Sequence, residues 1–119
     1  MGTLTPTLTL TSTNLTSDNL SISVTDSLSV LGDVIQKRID TSTTSTKFYE
    51  ADDYGKSYIF LKNIDATDNI IIEKSDGGDE FLNLGPGEFA FFPWGGGLDM
   101  FADASANTPT LEIMTFEAS

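Results

Sequence analysis

The sequence predicts an all-β fold, a small antiparallel β-sandwich or jelly-roll-like barrel preceded by an extended Thr-rich N-terminal arm. From residue 57 onward, six short runs rich in β-branched and aromatic residues follow one another at regular spacing, each bounded by Gly, Pro, Asn or Asp. Before them, apolar residues recur with period two, the mark of a strand with one buried face. Only one window, LGDVIQKRI, spaces its apolar residues as a helix would.

The first segment, TLTPTLTLTSTNLTSDNLSISVTDSLSV, belongs to a tract in which Ser and Thr make up 20 of 46 residues. Such a bias alone fits a disordered tail. The parity of the apolar residues argues for strands instead: Leu4, Leu8 and Leu10 share one face, then Leu20, Ile22 and Val24, then Leu28 and Val30. Thr suits a pleated surface because its β-branch is compatible with it. Asn14 and Asp18-Asn19 supply the break, so the tract reads as one or two strands or an extended arm. The matches to the glycosylation sequon at Asn14-Leu15-Thr16 and Asn19-Leu20-Ser21 are what chance yields in such a tract.

Leu31, Val34, Ile35 and Ile39 could form one helical face, but Gly32 and the β-branched residues leave a strand equally open. Asp40 to Lys47, DTSTTSTK, reads as a linker or exposed loop, which divides the chain into an arm over 1–46 and a compact domain over 47–119. The six runs of that domain are SYIFLKNI, NIIIEKS, EFLNL, EFAFFPW, LDMFADA and TLEIMTFEA. Asp76-Gly77-Gly78 and the stretch Asn63 to Asn69 are the hairpin candidates.

Composition removes whole classes of chemistry. The chain has no Cys and no His. Nucleophilic catalysis that depends on an activating His is excluded, and zinc, haem and iron–sulfur sites lose their usual ligands. Eighteen acidic residues against six basic give a net charge of −12, the wrong sign for a nucleic-acid backbone or an anionic membrane surface. Neither is an expected partner. No apolar run approaches the roughly 20 residues of a membrane-spanning helix. Met1-Gly2-Thr3-Leu4 leads into polar alternation, so no secretory leader is expected and the protein reads as soluble and made in the cytoplasm.

Asp52-Asp53, Asp65 with Asp68, Asp76 with Asp79-Glu80, and Asp99 with Asp103 are oxygen-rich, but none has the spacing of a calcium loop. They read as solvated turns. Gly95-Gly96-Gly97 lacks the Lys and Ser/Thr of a phosphate loop and is followed by Leu98-Asp99-Met100. No metal site, cofactor or catalytic group is therefore assigned, and the chain is read as non-enzymatic.

The most informative stretch is GEFAFFPWGGG. Alternation places Phe89, Phe91 and Pro93 on one face and Ala90, Phe92 and Trp94 on the other, so both faces are apolar. Leu111, Ile113 and Thr115 oppose Glu112, Met114 and Phe116 in the same way. A strand of a two-layer domain needs one apolar face for its core, and the other must be covered by something. Burial within one subunit, a sugar-stacking platform using Trp94 and Phe92, and a subunit interface are the three accounts. The interface is the best of them, with Phe89, Phe91, Phe92 and Trp94 divided between core and contact, and Leu4, Leu8 and Leu10 of the arm as further contact residues.

The ordered set SYIFLKN, FLNLGPGEFAFFPW and LEIMTFE resembles small virion structural proteins of tailed marine bacteriophages, over roughly Ser57 to Glu117. The resemblance implies a β-sandwich or jelly-roll module without catalytic residues. Such a module assembles on a phage particle as a capsid decoration or cement protein, or as part of a neck, tail or fibre. It further implies a homo-oligomer, trimer or larger, with the major capsid protein or other virion proteins as partners, made in the host cytoplasm and located in the virion. A carbohydrate-binding module of a phage fibre is the alternative, resting on Trp94 and Gly95 to Gly97.

Overall fold

The computed structural model describes residues 1–15 and 17–119; Thr16, in the Thr-rich segment, lies outside the described residues. Its strands are β1 (Gly2–Leu4), β2 (Thr7–Ser12), β3 (Leu20–Thr25), β4 (Leu28–Asp40), β5 (Thr46–Tyr49), β6 (Ser57–Asn63), β7 (Ile70–Ser75), β8 (Gly78–Leu84), β9 (Phe89–Trp94), β10 (Met100–Ala104) and β11 (Thr110–Ala118). There is no helix among the described residues. The protein is all-β.

The chain divides into two compact units, Met1–Gly32 with Ser119, and Asp33–Ala118. This division falls at Gly32/Asp33 rather than at 46/47, because residues 33–40 form the first strand of the second unit instead of belonging to an arm. Leu31 to Ile39 is thus a strand, the outcome its β-branched residues favour. Within DTSTTSTK only residues 41–45 are loop. Thr41 is fully buried, its N–H and hydroxyl both donating to the Pro109 carbonyl at 2.9 and 2.7 Å.

The second unit is an antiparallel sandwich of two sheets, ordered β4-β11-β6-β9, which β1 brings to five strands by pairing with the opening residues of β4, and β5-β10-β7-β8. Counted from β4, that order is 1-8-3-6 facing 2-7-4-5, in which every strand after the first pair alternates sheets except at the β7–β8 hairpin. This is the connectivity of a jelly roll. The core lies between the sheets: Ile59 and Leu61 of β6, Leu111 and Ile113 of β11, Ile70 and Ile72 of β7, and Met100 and Ala102 of β10 are buried in one cluster. Each contributes alternate residues from its strand, as two-sheet packing requires.

Asp76-Gly77-Gly78 makes the expected hairpin, with Gly77 at φ 73° and Ser75 paired to Gly78. Asn63 to Asn69 does not. It carries the chain from β6 in one sheet to β7 in the other, so it is a crossover. Asn63 holds the crossing from a buried position: its Nδ2 donates to the carbonyls of Asp68 and Leu84 at 2.8 and 2.9 Å, and its Oδ1 accepts from the Asp65 N–H at 2.9 Å.

The first unit is a two-stranded ribbon. β2 pairs with β3 from Thr7↔Thr25 to Ser12↔Leu20, and β1 pairs with the opening residues of β4 from Gly2↔Val30 to Leu4↔Leu28. Both ladders keep one register, and the Asp26 N–H to Pro6 carbonyl bond of 3.2 Å bridges them. One face of the ribbon carries only hydroxyls, with Thr3, Thr7, Thr9 and Thr11 opposite Ser29, Thr25, Ser23 and Ser21. The other carries Leu4, Leu8 and Leu10 opposite Leu28, Val24 and Ile22.

Candidate functional site

On the sheet β4-β11-β6-β9, the residues that alternate with the core face outward. β6 sends out Tyr58, Phe60 and Lys62 while burying Ser57, Ile59, Leu61 and Asn63. Its neighbours bring matching residues alongside. Phe91, Phe60 and Met114 form one cross-strand row, and Pro93, Tyr58 and Phe116 the next. Phe89, Lys62 and Glu112 form a third. The rings meet diagonally as well, Tyr58 stacking with Phe91 at 6.5 Å between centroids and Phe60 tilting against Phe89 at 6.5 Å. Diagonal contact between aromatic side chains is within reach on one sheet face.

Phe89 is 61 % exposed and Phe91 39 %. Two neighbouring Phe rings left in water are costly, at roughly 25 cal/mol per Å² of apolar surface. Such a contiguous apolar patch marks an interaction surface. Cations frame it: Lys56 Nζ lies 5.6 Å from the Tyr58 ring centroid, and Arg38 donates through Nε and Nη2 to Glu112 Oε2 at 3.1 and 2.9 Å. Pro93 is tolerated in β9 because that strand ends the sheet and one side of it needs no ladder bond.

Phe92 and Trp94, which alternation sets opposite Phe89 and Phe91, project from the other face of β9 and pack against the core cluster, so of the four it is they that take the core side. Trp94 stacks on Phe81 at 5.4 Å and meets Phe92 edge-on at 6.0 Å. Its indole Nε1 donates to the Leu98 carbonyl at 3.1 Å. The depression bounded by Trp94, Gly95 to Gly97 and Leu98 is about 110 Å³, whereas ligand pockets are typically ~300–1,000 Å³. Of the three glycines, Gly96 answers to backbone crowding: it has φ 94°, and a Cβ there would lie 2.7 Å from the Tyr54 and Gly55 carbonyl oxygens, whereas a Cβ at Gly95 or Gly97 would meet nothing within 4 Å.

Among the carboxylates of the turns, Asp99 and Asp65 have structural partners, whereas Asp103 Oδ1 is buried without a hydrogen-bond partner among the described residues. Asp99 Oδ1 accepts the Ala51 N–H at 2.6 Å and its Oδ2 lies 3.3 Å from Lys47 Nζ. The Ala51 bond, with Lys47 beside it, holds the Asp99 carboxyl below its ordinary range. Asp65 Oδ2 accepts from the N–H groups of Asp68 and Thr67, and its carboxyl is lowered by them in that order. No group of three His, Cys, Asp or Glu among the described residues could hold a metal ion.

Leu8 and Leu10 lie on the apolar face of the ribbon with Ile22 and Val24, each between 43 and 57 % exposed; Leu4 is half-buried. Sequence reasoning named Phe89, Phe91, Leu8 and Leu10 but missed the half-buried Tyr58 and Phe60 and the exposed Ile22 and Val24 as members of the same surfaces. The signal was available, since SYIFLKN is apolar on both faces just as EFAFFPW is. Comparison with protein families, with curated proteins and with solved structures gives no match.

Proposed function

We propose that this chain is a non-enzymatic structural protein that assembles through the aromatic outer face of the β4-β11-β6-β9 sheet, and that the assembly is part of a bacteriophage virion. The observation that carries the assembly reading is the pair of cross-strand rows, Phe91-Phe60-Met114 and Pro93-Tyr58-Phe116, on the face of that sheet turned away from its core. Aromatic residues and Met are enriched at the anchors of interfaces. A closed oligomer, trimer or larger, is the ordinary way to bury such a face.

The virion reading rests on the resemblance of SYIFLKN, FLNLGPGEFAFFPW and LEIMTFE, and is supported by the jelly-roll connectivity, an architecture recurrent in viral capsid domains. Jelly rolls also serve lectins, and a fold by itself does not assign a role. The carbohydrate alternative is less supported, because the Trp94 ring and its N–H are already engaged by Phe81 and Leu98. Capsid decoration or cement is the role proposed, with the major capsid protein as partner; neck and tail positions are its variants.

The test has two parts. Light scattering on the purified chain is expected to give a defined oligomer that Phe91→Glu reduces to single chains of 12.8 kDa with an unchanged circular dichroism spectrum. Immunogold labelling of purified particles from a host producing the chain is expected to decorate them. A monomeric parent chain overturns the self-assembly reading, and unlabelled particles overturn the virion reading.

A further inference from the structure

Segment 50–55 carries the chain from β5 in one sheet to β6 in the other, and its residues belong to no strand. Among the described residues, its backbone is tied to the rest of the chain by three N–H donations. The Ala51 N–H donates to Asp99 Oδ1 at 2.6 Å, the Asp52 N–H to the Gly96 carbonyl at 2.8 Å and the Gly55 N–H to Glu117 Oε1 at 2.9 Å. Two of the three acceptors are carboxylates. Packing adds little. Glu50, Asp52, Asp53 and Gly55 are exposed, and the apolar anchor is Tyr54, half-buried with its ring centroid 5.5 Å from that of Tyr49. A hollow of about 210 Å³ lies between Glu50, Asp53 and Tyr54 of the segment and Phe48 and Tyr49 of β5. Asp52 sits at φ 66°, a left-handed conformation that a residue with a Cβ adopts at a cost. Few buried apolar contacts and exposed backbone bonds mark a segment able to open without the rest of its domain.

Charge holds it closed. Glu50, Asp52 and Asp53 of the segment add three carboxylates to the two that accept its N–H groups. The cation set among them is Lys47 of β5. Its Nζ lies 3.0 Å from Glu50 Oε2 and 3.3 Å from Asp99 Oδ2, with the Phe101 ring centroid of β10 at 5.6 Å. Glu50 and then Asp99 raise the Lys47 ammonium above its ordinary range, while the Ala51 bond and then Lys47 hold the Asp99 carboxyl below its own.

We propose that segment 50–55 is a charge-latched strap, which opens as one unit when Asp99 or Lys47 loses its charge, while the two sheets stay folded. Opening bares Tyr49, which is 3 % exposed under the closed strap. The latch works between two limits. Asp99 titrates below 3.8 in the folded chain, so its hold is complete above pH 3.8 and is lost as pH falls through the lowered value. Lys47 titrates above 10.5, so its hold is complete below pH 10.5 and is lost as pH rises through the raised value.

Amide hydrogen exchange read by NMR at pH 5 compares the parent chain with Asp99→Asn. The Asn oxygen can still accept the Ala51 bond, but without charge. Ala51, Asp52 and Gly55 are therefore expected to lose protection together by about tenfold, while the buried Leu61 and Ile113 keep theirs. Loss at Ala51 alone, equal loss in strap and core, or no loss each overturns the proposal. Lys47→Met is expected to reproduce the result, and unaltered strap protection in that variant overturns it as well. An acid titration of the parent chain needs no variant to fold. The amide resonances of Ala51, Asp52 and Gly55 are expected to move with one midpoint below pH 3.8 while those of Leu61 and Ile113 stay in place. Separate midpoints for the three, or one midpoint shared with the core, sink the strap.

Discussion

The two outer faces of the sandwich differ although their sheets share one core. On the β4-β11-β6-β9 sheet the outward rows are Phe91-Phe60-Met114 and Pro93-Tyr58-Phe116. On the β5-β10-β7-β8 sheet they are Lys47-Phe101-Glu73-Glu80 and Asp103-Ile71-Asn83. The second face mixes Phe101 and Ile71 with charged and polar residues, of which Glu73 is buried and Asp103 Oδ1 is buried without a hydrogen-bond partner among the described residues. Lys47 sits 5.6 Å from the Phe101 ring centroid, and Glu73 accepts a bond from the Ser45 hydroxyl at 3.0 Å. An antiparallel sheet needs only one apolar face, so the doubly apolar sheet carries a requirement that the other does not. In the proposed assembly a second copy meets that requirement.

Four measurements break or sharpen this contrast. The largest effect belongs to the shared core: Leu61→Ala, at a fully buried position, is expected to lower the unfolding free energy by about 2–5 kcal/mol in urea denaturation. A much smaller loss would mean that the two sheets do not depend on one core. Next, matched substitutions compare the faces directly. Phe60→Glu is expected to disperse the proposed oligomer, whereas Ile71→Glu, equally half-buried on the opposite sheet, leaves the mass unchanged in light scattering. Equal responses would erase the distinction.

The third concerns Asp99, which ties the turn at Ala51 to the second sheet. Its carboxyl is held below the ordinary value of 3.8, so between the two values the unfolded chain binds more protons than the folded one. The stabilisation is therefore complete above pH 3.8 and lost as pH falls through the lowered value. Asp99→Asn is expected to melt below the parent at pH 7, with the gap closing under pH 3.8; a constant gap would show that the carboxylate charge is not what holds the turn. The smallest effect is at the rim of the aromatic face. Glu112→Gln removes an ion pair whose Arg38 side chain is largely in water, and the expected cost in thermal melting is at most about 1 kcal/mol.

Parity was legible in the sequence. The division of Phe89, Phe91 and Pro93 from Ala90, Phe92 and Trp94 follows from alternation alone, and so does the separation of Leu8 and Leu10 from the threonines between them. Period-two alternation is local, and it survives into whatever sheet the strand joins. The helix-or-strand ambiguity at Leu31 to Ile39 was not legible, because four apolar residues in nine fit either period. Nor was the role of Asn63, whose three hydrogen bonds turn a presumed hairpin into a crossover.

By itself, the sequence determined that this chain is all-β, which residues share a face on each strand, and that no His- or Cys-dependent chemistry is open to it. Only the tertiary structure decided which of the two apolar faces of β9 is covered by the same chain, and that Trp94 is on the covered side. It alone brought Phe60 beside Phe91, residues 31 positions apart, into one row. Strand order is set by pairings between distant segments, and their free energy comes from packing both sheets around one core rather than from any local preference.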